Sequence, residues 1–506
     1  MSTTSDILYK PLLSPEQHPA FRYNGFHPGN VNKLPKGHVK QPGFQAFPVD
    51  VTWEQDCAIP MRDGIKIYAD VFRPTNGGKV PAMIPYSPYG KVDSCVTNYD
   101  NMGPYRMGIP YQRLSGYETF EGPNPAEWAE RGYAVVDVDA RGCAHSKGNL
   151  AFWGLQEAED IYDTISWASE QPWGNSWLAI AQTNFASRFT HPALKAIAPW
   201  EGLTDPYSQQ CSRGGIPNIA FCAMIQSSFA GFRNLEDLAG MTMAHPLYDS
   251  YWESKKIHME NIRDLPVYFT ASYSTGLHCE GSFEGFNAAT TPKKWLRVHA
   301  SQEWHDLYTV EANDDLQRFF DFYAKGIKNG WEKDTPRIRL TLLGYENSPA
   351  KTIVERPETQ WPPARLRIEK YFLDAATKSI VASNPQNLAT DFKLVFPQYT
   401  ELCGRPFVKL FMSCPSHNDL DVVVQIRKIS ASGEQLESLN WSPMPKPQPQ
   451  VPNVNVAKYL GPQGMLRASH HVSLRPRANE DELPSYDHCT RKAITPNEIV
   501  ELLVPI

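Results

Sequence analysis

The stretch Gln171-Pro172-Trp173-Gly174-Asn175-Ser176-Trp177-Leu178-Ala179 decides how this chain reads. Gly-x-Ser, then an apolar run with a small residue three places after the serine, has the form of a nucleophile elbow. A strand ends, the chain turns sharply, and a helix begins with the serine at the corner. Small residues flank that serine because strand and helix backbones nearly touch there. A serine before Trp-Leu-Ala-Ile also suits an ordinary helix N-cap, so the surroundings must discriminate.

Upstream, Leu155 to Gln171 carries Ala158, Ile161, Ile165 and Ala168 at helical spacing, with Glu157, Asp160 and Asp163 facing out. Pro172 stops that helix. Before it, Tyr133-Ala134-Val135-Val136-Asp137-Val138-Asp139 reads as a buried parallel strand. A helix end at Glu127 to Gly132 precedes it, with a glycine cap. Further upstream, Met61-Arg62-Asp63-Gly64 is a hairpin turn between alternating strands. Val80 to Tyr86 is a short apolar strand. After the elbow, Lys195-Ala196-Ile197-Ala198-Pro199, Val267 to Ala271 and Trp295 to His299 are further strands, and Asp314 to Tyr323 is a helix. Strands of buried composition alternating with helices predict an open parallel sheet covered on both faces.

The expected domains are an N-terminal arm at 1–48, an α/β domain at 49–206 and 263–346, and a helical cap inserted at 207–262. A β-sandwich follows at 347–506, where strands such as Val408–Met412, Asp421–Ile426 and Ile499–Leu503 dominate around a proline-rich loop. The length of 506 residues accommodates these units. A net charge of -6 with mixed signs and no basic run argues against nucleic acid. The polar N-terminus reads as no signal peptide, and no apolar run reaches bilayer length. Nine cysteines without repeated spacing suggest reduced thiols, hence a cytoplasmic protein.

One ordered series is more specific than any single motif. It comprises Met61-Arg62-Asp63-Gly64, Ala69-Asp70-Val71-Phe72-Arg73-Pro74, Pro88-Tyr89-Gly90-Lys91 and Asp139-Ala140-Arg141-Gly142. Glu157-Ala158-x-Asp160, Gln171-Pro172-Trp173 and Lys195 to Pro199 complete it. The series resembles the X-Pro dipeptidyl-peptidase and cocaine-esterase family of serine acyl hydrolases over nearly the whole chain. That resemblance implies an α/β-hydrolase doubly wound sheet, a helical cap and a C-terminal jelly roll, here incomplete. It implies Ser176 as nucleophile and His305, in Glu303-Trp304-His305, as base. The chain order serine, acid, histidine is that of α/β-hydrolases. A serine hydroxyl becomes a useful nucleophile when a histidine takes its proton. Tyr89 matches a tyrosine whose hydroxyl supplies one oxyanion donor, and the Trp177 backbone N–H would supply the other. The resemblance implies an ester, amide or short-peptide substrate, no cofactor, no metal, and neither nucleic acid nor membrane as partner. Homo-oligomerisation is left open.

Two departures stand against the family pattern. The acid is expected after Val267–Ala271, yet Thr275 occupies its place in Ser272-Tyr273-Ser274-Thr275-Gly276-Leu277-His278-Cys279-Glu280. Loss of that carboxylate costs on the order of 10⁴ in turnover in the well-studied triad. Glu280 is one substitute orienter, and Asp306 is a second. The other departure is a missing strand. Crossing the sheet takes roughly five residues at about 3.3 Å each, but Ser176 follows Pro172 almost at once. Either the end of the preceding helix unwinds to supply the strand, or Trp177–Ala181 itself becomes strand and Thr183 moves to the corner. A misjoined reading frame is a third account. Both departures keep an inactive hydrolase fold, retained as a binding or scaffold protein, as the alternative to a working enzyme.

Overall fold

The computed structural model describes residues 7–506 apart from Ala20, Arg22, Gly77, Val92, Pro104, 169–173, Ser176, 374–390, Ser442, Pro443, Pro445 and Asp481. The N-terminal arm opens with a three-residue strand, β1 (Tyr9–Pro11). A first sheet follows from β2 (Val31–Leu34), β3 (Val51–Pro60), β4 (Lys66–Pro74), β5 (Ala82–Met83), β6 (Tyr86–Ser87) and β7 (Ala134–Asp139). Its order is β2-β3-β4-β7-β5, with β6 also on β7. The turn at Met61–Gly64 joins β3 to β4 as an antiparallel hairpin, and Gly64 takes the left-handed conformation that such a turn requires. The apolar run Val80 to Tyr86 yields two short parallel pairings, β5 and β6, instead of one strand. Pro85 lies between them and has no N–H to donate.

The second sheet contains β8 (Gly174–Asn175) and β9 (Pro199–Trp200). After the three-residue β10 (Asn234–Glu236), which pairs antiparallel with β1, it continues with β11 (Val267–Ser272), β12 (Lys294–His299), β13 (Ile338–Leu342) and β14 (Ile353–Glu358). The order is β14-β13-β12-β11-β9-β8, parallel from β13 to β8. β11 is buried along its length, as its run of apolar residues requires in a sheet covered on both faces. β14 is antiparallel to β13, so this sheet extends beyond residue 346, to Glu358.

Among the described residues no ladder joins the two sheets. The gap falls between β6 and β8, where the strand leading to the elbow belongs. The helix before it is described from Leu155 to Ala168, and its expected end at Gln171 lies outside the described residues. The expected unwinding of the helix end to supply that strand falls on 169–173 and likewise lies outside the described residues, and β8 is described at Gly174–Asn175.

The cap region is not wholly helical. It mixes a π turn at Tyr207–Cys211, short helices at Ile219–Gln226, Leu238–Ala244 and Ser250–Lys255, and β10. A three-residue strand carries no readable periodicity, and β10 exists because the arm supplies its partner.

The C-terminal half is strand-rich and sandwich-like. β15 (Phe407–Met412) and β16 (Asp421–Gln425) precede the two-residue β17 (Ser438–Leu439) and β18 (Lys458–Tyr459). β19 (Gln463–Arg467) and β20 (Val500–Pro505) follow. Antiparallel pairs β15–β20 and β16–β19 enclose a second core of Val422, Leu466, Ala468, Leu502 and Val504. Trp441, Val451 and Ala457 instead join the main core of the hydrolase sheets.

Candidate active site

The elbow is built from β8 and the helix Trp177–Arg188. β8 pairs parallel with β9, Gly174 beside Pro199 and Asn175 beside Trp200, and the helix begins at Trp177. Ser176 lies between them and outside the described residues, as does the side chain of Trp177. The Trp177 N–H belongs to the first turn of its helix, where backbone donors have no intrahelical partner. Ala179 is fully buried, and a Cβ added at Gly202 would sit 3.8 Å from the Ala179 Cβ. A small residue at 179 lets the helix close on the segment after β9. The alternative register is overturned. Trp177–Ala181 is helix, and the Thr183 hydroxyl donates to the Ala179 and Ile180 carbonyls, 3.1 and 3.0 Å away within that helix. Leu178–Ala181 are buried by helix packing, so no strand slip is needed.

His305 sits on the short helix Glu303–Leu307 that follows β12. Gln302 caps this helix, its side-chain oxygen accepting from Trp304 N at 2.8 Å and His305 N at 3.4 Å. Cα atoms of this helix come within 8 Å of β8, so the histidine helix stands at the elbow. His305 is half-buried, and its Nδ1 faces the Gly108 carbonyl at 3.3 Å. A carbonyl only accepts, so the contact requires the proton on Nδ1 and leaves the Nε2 lone pair free. Burial holds the His305 pKa below its ordinary value, while the Gly108 carbonyl and Asp306 oppose that shift. The result favours the neutral imidazole that a general base needs.

Tyr89 lies just beyond β6, nearly fully buried, with its ring 4.9 Å from Phe120 and 5.4 Å from Phe229. Burial, then the carboxyls of Glu121 and Glu303, push its pKa well up. A phenol so placed stays protonated and can donate. The loop carrying it is tied to β7, because Lys91 N donates to Asp139 Oδ1 at 2.7 Å. Trp304 Nε1 donates to Glu121 at 2.9 Å, joining the histidine helix to the Tyr89 wall.

The structure does not bring Glu280 to His305. Glu280 pairs with Arg405 at 3.0 Å, alongside Glu284 at 2.9 Å. Helical spacing after β11 turns it toward the C-terminal half. Asp306 accepts two bonds from Arg297, at 2.7 and 2.9 Å. Thr275 is buried beside a carboxylate that sequence reasoning missed, Glu201, whose pKa it lowers as part of a balance that burial tips upward. Glu201 follows β9, is fully buried, and takes a left-handed φ of 64°. Its Oε1 is 2.6 Å from His299 Nε2 at the end of β12. Glu201, Thr275 and His299 thus form a row across the carboxyl edge of three adjacent strands. The only signal in the sequence was a charged residue directly after a buried strand. Among the described residues no cluster of His, Cys, Asp and Glu could hold a metal, and no helix is long and apolar enough to cross a membrane.

Comparison with known proteins agrees with this geometry. Residues 63–229 match the X-Pro dipeptidyl-peptidase (S15 family), and residues 380–506 match the X-Pro dipeptidyl-peptidase C-terminal non-catalytic domain. The chain is 32% identical to the cocaine esterase of Rhodococcus sp. (strain MB1 Bresler) over 399 residues, covering 66% of this chain and 64% of the esterase. It is 29% identical to a putative serine esterase of Mycobacterium tuberculosis over 174 residues, 32% of this chain and 26% of that protein. It therefore spans only part of the length of these relatives. A solved CocE/NonD family hydrolase from Staphylococcus aureus superposes with a TM-score of 0.79 at 29% identity, covering 95% of this chain and 86% of that one. An α-amino acid ester hydrolase shares the fold at 16% identity and a TM-score of 0.56, covering 92% of this chain and 88% of its own. The elbow flanked by β8 and its helix, the histidine helix beside it, and the two matched segments together make this chain a member of the X-Pro dipeptidyl-peptidase and cocaine-esterase family of α/β-hydrolases.

Proposed function

We propose that the protein is a serine hydrolase that cleaves an ester or amide through an acyl-enzyme. Ser176 attacks the carbonyl carbon, and His305 Nε2 takes the serine proton and later returns it to the leaving group. The Tyr89 hydroxyl and the Trp177 N–H hold the oxyanion. The observation that carries this reading is the histidine helix standing against β8, with His305 Nδ1 engaged by the Gly108 carbonyl so that Nε2 carries no proton. The Tyr89 wall of Phe120, Phe229 and Trp304 suits an apolar acyl group. The similarity to the S15 family and to a cocaine esterase supports a substrate between short X-Pro peptides and small esters. The family's C-terminal jelly roll, as a support for the catalytic part, belongs to the same reading.

A fluorophosphonate probe tests it. Labelling of wild type and not of Ser176→Ala, together with hydrolysis of a p-nitrophenyl ester, is the expected result. A second reading, an inactive fold acting as a binding or scaffold protein, is favoured by one observation: the residue in the acid's place is Thr275 and the partner of His305 Nδ1 is a neutral carbonyl. Absence of labelling in both proteins would establish that second reading.

A further inference from the structure

His305 is held by two contacts, and both lead to the C-terminal half. The first is the Gly108 carbonyl on Nδ1. Gly108 ends a run of four left-handed residues, Tyr105, Arg106, Met107 and Gly108, with φ between 53° and 74°. Each non-glycine residue in that region costs about 1–2 kcal/mol, so the run persists only where its surroundings hold it. Met107 is fully buried, and the Arg106 guanidinium stacks 3.7 Å from the Tyr111 ring centroid. The remaining side of the loop is closed by Trp441. A Cβ built on Gly108 would lie 2.4 Å from Trp441 Cδ1, so the indole packs directly on the peptide whose carbonyl faces His305.

The second contact is the cap. Gln302 accepts from His305 N and Trp304 N, and its own backbone N–H donates to the Asn440 carbonyl at 2.7 Å. Asn440 is fully buried and donates its N–H to the Ala457 carbonyl at 2.9 Å, with its side-chain amide on the Asn455 carbonyl. Two consecutive residues, Asn440 and Trp441, therefore brace the cap and the ring contact of one histidine. Both belong to the segment that matches a domain described as non-catalytic.

We infer that Asn440 and Trp441 are positioning residues for the general base, so that the C-terminal half fixes the geometry of His305. This rests on the hydrolase reading. Without the indole, the Gly108 loop loses its packing and the carbonyl leaves Nδ1. An approximately 1 Å misplacement of a catalytic group costs up to about 10²-fold in rate. Loss of the carbonyl lowers the ring's pKa, but the ring also gains solvent, and because burial is the larger influence its relief outweighs that loss and the pKa rises.

The test is steady-state hydrolysis of a p-nitrophenyl ester by the full chain carrying Trp441→Ala. The expected result is a kcat at least ~10-fold lower, KM changed less than about threefold, and an acid limb of the pH profile moved upward. Trp441→Phe, which retains a ring over Gly108, restores most of kcat. A purely structural role would lower the amount of active protein without moving the pH limb. Wild-type kcat and an unmoved limb in Trp441→Ala would overturn the inference. Should that variant not fold, Gly108→Ala presses a methyl against the same indole. There the same loss of kcat supports the inference, and full turnover overturns it. A wild type that neither labels with fluorophosphonate nor turns over would refute the hydrolase reading and this role with it. An active wild type with unaffected variants refutes this role alone.

Discussion

Asp139 gives the sharpest stability prediction. It ends β7, is 2% exposed, and accepts from Lys91 N, so it anchors the loop of Tyr89. Burial raises its pKa from 3.8 to about 7, against the opposing pull of Lys91. Asp137 shares its face of β7, directly across from Asp70 on β4, and Lys91 contacts Asp56 and Asp70 as well. Between pH ~4 and ~7 the native state keeps a proton on Asp139 that the unfolded chain has released, so wild-type stability falls as pH rises through that window. At about 1.36 kcal/mol per pH unit this amounts to ~4 kcal/mol. Total stabilities are only about 5–15 kcal/mol, so the effect is measurable. Asp139→Asn keeps the acceptor for Lys91 N and removes the ionisation. It also takes one carboxylate from Lys91, but Asp56 and Asp70 remain in contact. The assay is urea unfolding at pH 4, 5, 6, 7 and 8. The stability difference, variant minus wild type, should grow in the variant's favour by ~4 kcal/mol from pH 4 to pH 8. The residual slope belongs to the other buried carboxyls whose pKa values burial raises, Asp137, Glu303, Glu118 and Asp205 among them. Parallel curves for the two proteins would refute the reasoning.

Three further outcomes are expected. His305→Gln removes ester hydrolysis while the melting temperature stays within a few degrees; in wild type, burial of His305 puts the acid limb of kcat/KM below pH ~6.5, and a limb at or above that value would contradict the burial argument. Asp306→Asn leaves the buried Arg297 with Glu355 as its remaining acidic partner, so unfolding free energy should fall by about 3 kcal/mol, the low end for a broken buried pair; a change under ~0.5 kcal/mol would show the pair to be solvated. Glu201→Gln withdraws the carboxylate from His299 and one of the two that hold Glu303 up. It should destabilise at pH 7 by about 1.5–3 kcal/mol, the worth of a hydrogen bond to a charged group, and lower the Glu303 pKa, followed by infrared titration of the carboxyl band.

Much of the architecture was readable because it is local. The run Ala134 to Asp139 is buried at every position, and alternation in Ile65 to Phe72 belongs to a strand whose two faces differ in environment. The elbow was readable because strand-to-helix close approach demands small residues such as Ala179. What escaped reading depends on distant partners. β10 is strand because Tyr9–Pro11 lies beside it, and β14 joins the hydrolase sheet although its sequence is as polar as a loop. The missing length of chain before the elbow was visible in the sequence, and it falls on 169–173, outside the described residues. Glu280 was a reasonable orienter by proximity in sequence, and Arg405, 125 positions away, claims it. The Gly108 carbonyl stands 197 residues from His305, and no spacing rule connects them.

These long-range contacts also bear on how a hydrolase without a carboxylate at position 275 works. The acid of a serine triad does two things: it fixes the tautomer and plane of the imidazole, and its charge stabilises the imidazolium. In the proposed mechanism the two tasks fall to different groups. The Gly108 carbonyl can only accept, so it enforces the productive tautomer, which an amide side chain in that place would not. Charge comes from Asp306, adjacent in sequence, whose carboxylate raises the His305 pKa and is itself kept ionised by Arg297. Asp306 contributes through space, without a hydrogen bond to the ring, so its effect is smaller than that of a direct partner. In the hydrolase reading, turnover therefore falls below that of a complete triad because of weaker charge stabilisation, while the geometry of the base is intact. That geometry depends on the loop ending at Gly108, on the Gln302 cap and on Trp441. Such bracing from the C-terminal half keeps the histidine helix fixed against β8.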